Sequence, residues 1–245
     1  MPCSEEQTRV SIKNILLATT SSEFSEAILP YVAALARRYG ARISLSDAIS
    51  PEAISEIVSN REVDMVVVAS RQKLRDTATP SIGEDILPTV PCPMLVIGPE
   101  VTYTELANKA LERIVYVTDF SISSLEALPY AVTLAQDNEA QLTLVHIAEE
   151  TTMGPFYYGD SRSVAFRKRL ESLVSSSSGF LCESEFVVGN GDRAEGLVRL
   201  ATNLDASLIV MSVRGTPADA FARVLRPVDG QLICRAQCPV LMVSG

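Results

Sequence analysis

The sequence predicts an α/β protein made of two tandem open parallel-sheet domains, the first of them truncated. Three observations carry this. Short apolar runs rich in β-branched residues alternate with amphipathic stretches along the chain. Runs such as Met65-Val-Val-Val-Ala69 and Leu208-Ile-Val-Met211 lack a two-residue alternation, as strands covered on both faces must. The chain also repeats itself: Thr19 falls on Thr118, Ser22 on Ser121, Ser25 on Ser124, Pro30-Tyr31 on Pro129-Tyr130 and Ala41 on Ala140, all at an offset of 99 residues. Both copies close alike, Cys92-Pro93-Met-Leu-Val-Ile97 matching Cys238-Pro239-Val-Leu-Met-Val243 at an offset of 146, so the second copy is longer inside by 146 − 99 = 47 residues. Domains spanning 1–99 and 112–245 follow, joined by a linker.

In the first copy a strand is expected over 12–18 and a helix over 25–38. Arg37 and Arg38 meet the negative end of that helix and Gly40 fits the residue just past it. A strand over 41–47 precedes a helix that opens at Ser50-Pro51, serine capping and proline in the first turn, and runs to about residue 60. A strand over 64–70, a helix over 83–87 and a strand over 93–97 complete the copy. Gly98-Pro99 opens the linker, with a short helix over 103–111.

The second copy begins with a strand over 114–117, closed by Thr118 and Asp119. Ser123 with Glu126 three residues on reads as a capping box for a helix over 125–135. A strand over 141–147 leads to material without a counterpart: a loop over 151–161 containing Tyr157-Tyr158, a helix over 164–175, a break over 176–179 and a strand over 183–188. A helix over 193–203, a strand over 207–212 and a last strand over 240–243 finish the chain.

Composition bounds the function. The 245 residues are 47% hydrophobic and 21% charged, as in ordinary globular domains, with no apolar run near the roughly 20 residues that span a bilayer. The first residues lack the basic and apolar regions of a signal peptide, and five cysteines without framework spacing suit a reducing compartment, so a cytoplasmic location is expected. A net charge of −9, from 30 acidic and 21 basic residues, argues against nucleic acid, and Arg167-Lys168-Arg169 reads as a solvated helix face.

In open parallel sheets ligands bind beyond the carboxyl ends of the strands, at the point where strand order reverses. That rim holds Thr118-Asp119, Ile147, residues 189–192 and residues 212–215. Asp119 reads either as a ligand-binding carboxylate or as a helix cap. Gly189-Asn-Gly191-Asp-Arg-Ala194 matches a dinucleotide pattern but follows an interior strand, so a tight turn with Asp192 as helix cap is the better reading. His146, the only histidine, reads as a satisfied strand-end side chain, Cys234 and Cys238 as structural, and Tyr157-Tyr158 as a packed loop, a lid being the alternative. No catalytic or metal-ligand set emerges, and phosphate-loop and nucleophile-elbow motifs are absent.

Val117-Thr-Asp119-Phe-Ser121, Leu142-Thr-Leu-Val-His-Ile-Ala148, Gly191-Asp-Arg-Ala-Glu195, Ala206-Ser-Leu-Ile-Val-Met211 and the two Cys-Pro closings, in this order, resemble the universal stress protein family, and a tandem member in particular. The resemblance implies a Rossmann-like fold of the adenine nucleotide alpha-hydrolase kind. It further implies a pocket for ATP, ADP or AMP in the second copy, with Asp119 and the backbone at Ile147 toward adenine and ribose. The glycine motif that wraps phosphates in ATP-binding members, G-x2-G-x9-G-S/T, is damaged here. Its first glycine is Ser212, its second survives as Gly215, and its end falls near Leu225-Arg226-Pro227. Proline offers no amide to a phosphate and arginine is too large for close backbone approach, although Arg214 and Arg226 offer cations. The expected nucleotide ligands are therefore Thr118, Asp119, Ile147, Gly191, Ser212, Arg214 and Gly215. In the first copy Thr20 and Ala69-Ser-Arg-Gln72 replace the equivalent groups, and no pocket is expected. The resemblance also implies antiparallel pairing of 94–97 with 240–243, making an intramolecular pseudo-dimer, with a homodimer or an unknown protein as further partners. A weak ATP hydrolase and a pure protein-interaction module are the alternatives.

Overall fold

The computed structural model describes residues 9–19, 22–47, 50–69, 90, 92–102, 106, 111–148, 160–175, 183–213 and 227–244. The expected helices over 83–87 and 103–111 and the loop over 151–161 lie outside them, apart from a few residues. In chain order the described elements are β1 Asn14–Ala18, α1 Ser22–Tyr39, β2 Arg42–Ser46, α2 Pro51–Arg61, β3 Met65–Ala69, β4 Met94–Ile97, β5 Arg113–Val117, α3 Ile122–Glu126, α4 Leu128–Asn138, β6 Gln141–Ala148, α5 Ser161–Ser175, β7 Ser184–Asn190, α6 Arg193–Asn203, β8 Leu208–Val213, α7 Pro227–Arg235 and β9 Val240–Ser244.

The nine strands among the described residues join one sheet, in the order β2-β1-β3-β4-β9-β8-β5-β6-β7. Every neighbour pair is parallel except β4 with β9. Within the second half the order is doubly wound, two strands to one side of β5 and two to the other, which puts the reversal between β5 and β8. The first half has the same order without an equivalent of β7. Ladder registers locate the missing residues. Ile15 pairs with Met65 as Ile114 pairs with Leu208, so the offset there is 208 − 65 = 143. Val66 pairs with Met94 as Ile209 pairs with Val240, so at the closing strands it is 240 − 94 = 146. Of the 47 extra residues, 143 − 99 = 44 therefore fall between β6 and β8, where α5 and β7 lie.

Both faces of the sheet are covered, as the unbroken apolar strands require. Ile15, Leu17, Tyr116, Leu142 and Leu144 face one core with Val32 and Leu35 of α1, Leu134 of α4 and Leu170 of α5. Leu16, Val66, Val115 and Ile209 face the other with Ile54 of α2, Leu197 of α6 and Ile233 of α7. At the junction Leu95 pairs with Leu241, flanked by Met94 with Met242 and Val96 with Val240. Leu95 and Leu241 occupy equivalent positions of the two halves, so the register is symmetric about them. The pairing hides two apolar edges. Further links cross between the halves: Arg9 pairs with Asp137, Val10 N–H donates to Thr133 Oγ1 (3.2 Å), and Asn138 Nδ2 donates to the Tyr39 hydroxyl (3.1 Å).

Several boundaries differ from expectation for physical reasons. The cap after β5 is Ser121, whose Oγ accepts from Ser124 N–H, and not Ser123 with Glu126; the helix starts two residues earlier than a Ser123 cap allows. It then breaks at Ala127, because Pro129 brings neither an N–H nor room for the preceding turn's carbonyl, and α4 restarts with that proline in its first turn. The helix at α5 begins at Ser161, since Asp160 Oδ1 accepts from Ser163 N–H (2.7 Å). Helix α7 was not anticipated; proline at its start, with Leu232 and Ile233 one turn on in the core, was the available signal.

Candidate functional site

The site is built at the carboxyl end of β5. Thr118 follows the strand fully buried, its N–H donating to the Val145 carbonyl (2.9 Å) and its hydroxyl lying 2.9 Å from Ser124 Oγ. Phe120 takes a left-handed backbone (φ 61°), uncommon for a side chain of this size, and its N–H donates to Thr118 Oγ1 (2.9 Å). That sharp corner turns the chain from strand into helix. Asp119 Oδ1 accepts from both the N–H (3.0 Å) and the hydroxyl (2.5 Å) of Ser121, the residue that caps α3. Asp119 is therefore not the cap itself. It orients the cap, by directing the Ser121 proton away from the helix so that the hydroxyl's lone pair meets Ser124 N–H. Its other oxygen, Oδ2, lies 4.0 Å from the Arg193 guanidinium at the start of α6, with both side chains largely buried.

His146 stands beside this corner, on the β6 face toward α5. Its Nδ1 is 2.9 Å from the Thr118 carbonyl, which fixes Nδ1 as the donor, and its ring packs against Phe120 (4.7 Å between centroids) and Phe166 of α5 (4.5 Å). Arg169 places its guanidinium 4.3 Å over the Phe120 ring. Burial depresses the His146 pKa below its ordinary 6.5; the Thr118 bond and Asp119 oppose this, Arg193 and Arg169 reinforce it. The histidine is a satisfied strand-end side chain, as expected. Tyr116, beneath the corner, donates to the Ser124 carbonyl (2.7 Å), and burial pushes its hydroxyl up to about 12.

The remaining expected residues are distributed around this corner. Ile147 lies inside β6, paired with Gly189, and its side chain faces the opposite core from His146. A Cβ at Gly189 would sit 2.7 Å from Ile147 Cδ1, the tip of that side chain, which would have to shift to admit it. Because main-chain groups alternate sides along a strand, and Val145 bonds toward β5, the Ile147 backbone also faces β5, just past its end. Gly191 holds φ 96° in the turn after β7, and Asp192 caps α6 by accepting from Glu195 N–H (2.7 Å). The dinucleotide pattern is thus a tight turn into a capped helix. Ser212 is buried within β8, paired with Val243, one residue before the strand ends. Arg214, Gly215, Arg226 and Tyr157-Tyr158 lie outside the described residues, as does Thr20. Sequence reading gave no role to Phe120, Phe166 or Arg193 and read Arg169 as part of a solvated helix face, where it is exposed. The spacing of Phe166 and Arg169, three residues apart on one helix face, was the signal for that pair.

The structure thus joins Asp119, the Ile147 backbone and Ser212 at the reversal point between β5 and β8. A groove of about 500 Å³ opens elsewhere, lined by Arg9, Lys13, Arg38, Tyr39 and Asp137 at the amino ends of the strands. Two helices end there, α1 and α4, and their negative ends oppose a phosphate, so the groove is not the expected nucleotide site. Among the described residues no cluster of His, Cys, Asp and Glu suits a metal, and no helix is long and apolar enough to cross a membrane.

These features define a doubly wound α/β protein whose strand order reverses between β5 and β8, enlarged by a second, smaller α/β half. Residues 110–244 match the model of the universal stress protein family, and the chain belongs to that family. Among solved structures, a universal stress protein from Archaeoglobus fulgidus is 17% identical with a TM-score of 0.63, over 96% of this chain and 89% of that one. A functionally unknown protein from Pseudomonas aeruginosa is 14% identical with a TM-score of 0.53, over 94% and 81%. A universal stress protein solved in complex with cAMP is 23% identical with a TM-score of 0.42, over 56% of this chain and 98% of that one. A comparison with curated protein sequences gives no match.

Proposed function

We propose that this chain is a cytoplasmic stress-response protein that binds an adenine nucleotide, ATP, ADP or AMP, at the β5/β8 reversal of its second half and does not turn it over. In this reading residues 1–99 are a truncated domain without a pocket and residues 112–245 a complete one, and the two form an intramolecular pseudo-dimer through β4 and β9. The carrying observation is the Asp119 corner. A partly accessible carboxylate is held rigidly by two hydrogen bonds from Ser121, beside the Arg193 guanidinium and next to the Ile147 backbone. Such an arrangement suits a ribose hydroxyl pair at the carboxylate and a phosphate toward the cationic side. Arg214 and Gly215 are the groups we assign to the phosphates. Turnover is disfavoured because the one imidazole at the corner is bonded to a carbonyl and packed between two phenyl rings, leaving no evident general base.

Native mass spectrometry of freshly purified protein, followed by titration with ATP, ADP, AMP and cAMP, tests the reading. A saturable adenine nucleotide, lost in Asp119→Ala while the fold persists, is the expected result. A protein that comes empty and ignores all four refutes it. The second reading, a protein-interaction module, is favoured by the same corner seen differently: Asp119 already has a structural task in orienting the α3 cap.

A further inference from the structure

The truncation of the first half leaves a trace at β2. With an offset of 99, β2 Arg42–Ser46 corresponds to residues 141–145 of β6, and the main-chain bonds agree, Arg42 N–H donating to the Lys13 carbonyl (2.7 Å) as Gln141 N–H does to that of Glu112 (2.8 Å). In β6 the residues from Leu142 to Val145 are all buried, under β7 and α5. In β2 their counterparts are not. Leu45 is 59% exposed where its equivalent, Leu144, is 0% exposed, and Ile43 and Ser44 are only half-buried. The 44 residues that cover β6 have no counterpart in the first half, and among the described residues no strand pairs with the outer side of β2.

We propose that this edge docks a second copy of the same chain, β2 against β2 in antiparallel register. The main chain is prepared for it. Arg42 N–H and the Ser46 carbonyl both bond toward β1, so by alternation the N–H and C=O of Ile43 and Leu45 point outward, as does Leu142 N–H when it reaches the Glu183 carbonyl beside β7 (2.9 Å). A two-fold axis at Ser44 then sets Ile43 opposite the second copy's Leu45, twice. Each is a hydrogen-bonded pair using both outward groups, and the two apolar side chains share a face. Arg42 stands opposite a serine, and the two copies of Arg42 lie at opposite ends of the ribbon. The molecule already uses this device at Leu95 and Leu241, where equivalent residues pair across an antiparallel junction. The opposite edge does not suit the role: β7 carries Glu185 and the glycine at 189, features that blunt an edge, whereas β2 has no lysine, proline or glycine. Joining β2 to β7 of another copy would also leave free edges and grow fibres, while the β2 pair closes.

An interface this short belongs to the weak class, so the dimer should depend on concentration. Sedimentation equilibrium across a wide concentration range should show the average mass rise from 26.5 kDa toward twice that value. Leu45→Lys and Leu45→Pro should each stay monomeric throughout. Both leave the bonds to β1 intact, because the Leu45 N–H points away from it, and unchanged thermal melts would verify the fold. Ser44→Cys under mild oxidation should give a dimer that peptide mapping locates to residue 44 of both chains, since a non-hydrogen-bonded antiparallel pair brings the Cα atoms to about 4.5 Å, within disulfide reach. Glu185→Lys should leave the dimer unchanged. A protein monomeric at every concentration overturns the proposal. So does a dimer that survives both Leu45 variants, a dimer without the residue 44 crosslink, or growth beyond dimer.

Discussion

The contact between the halves at Gly98 gives the sharpest test of the fold. A Cβ built there would lie 2.1 Å from the Ile233 carbonyl oxygen and 3.3 Å from its carbon. A carbon and an oxygen need roughly 3.3 Å, so about 1.2 Å must be found by moving either the exit of β4 or the last turn of α7. Neither moves freely. Gly98 directly follows a strand paired on both sides, and the Ile233 side chain is in the core. Overpacking of this kind costs about 3 kcal/mol, at the upper end of the usual range, because the obstacle is backbone rather than a flexible side-chain tip. For a chain of this size Gly98→Ala should lower Tm by about 6–12 °C. Gly40→Ala is the comparison: its φ of 62° strains an alanine by about 1–2 kcal/mol, but no atom lies within 4 Å of the new Cβ. Thermal unfolding followed by circular dichroism should therefore rank wild type above Gly40→Ala and Gly40→Ala above Gly98→Ala. If Gly98→Ala melts no lower than Gly40→Ala, β4 and α7 do not meet as described.

Three further outcomes follow from the β5 corner. Because burial lowers the pKa of His146 in the folded state, the unfolded chain binds more protons just below pH 6.5, so stability should fall as pH drops through that value and level off below the folded pKa. The slope this group adds is at most about 1.4 kcal/mol per pH unit, and His146→Gln should flatten it in urea titrations between neutral and mildly acidic pH. Ser121→Ala removes the α3 cap and the hydroxyl's bond to Asp119, keeping the one from its N–H, and should cost about 1–2 kcal/mol in urea midpoints, with Ser121→Thr losing less. Tyr116→Phe removes the shorter of two hydrogen bonds to the Ser124 carbonyl, which keeps the Ala127 N–H (3.3 Å), and should cost about 0.5–1.5 kcal/mol; in the wild type the Tyr116 phenol should resist ionisation up to about pH 12 in ultraviolet titration.

The architecture was legible because period and repetition are written at long range. Apolar runs without alternation announced buried parallel strands, and the offsets of 99 and 146 reappear as ladder registers, Ile15 with Met65 against Ile114 with Leu208, and Leu95 with Leu241. The corners were less legible because several residues compete for one task. Ser121, Ser123 and Ser124 all lie near the start of the same helix, and the left-handed turn at Phe120 decides that Ser121 reaches the cap. A phenylalanine gives no local sign that it will adopt that conformation. The pairing of Asp119 with Arg193 was hidden for another reason. It joins residues 74 apart, from 193 − 119, that meet only once β5 and α6 are packed on the same sheet.

Sheet edges explain why the two halves differ. A complete unit alone has two exposed edges, the one at β9 and the one at β7. β9 is apolar through Val243, and β7 is relieved by Glu185 and Gly189. The first half covers the edge at β9 with the four buried residues of β4, and that task needs only the strands that hold β4 in place, namely β1 and β3. Nothing in it requires an equivalent of β7, so its loss leaves the junction intact. The cost appears at the far end, where β2 was shaped as an inner strand, with outward amides at Ile43 and Leu45 and apolar side chains to match. The loss of a β7 equivalent therefore leaves at β2 a strand edge that is chemically an interior surface. A sheet that closes one such edge by antiparallel pairing of equivalent residues has the means to close the other in the same way.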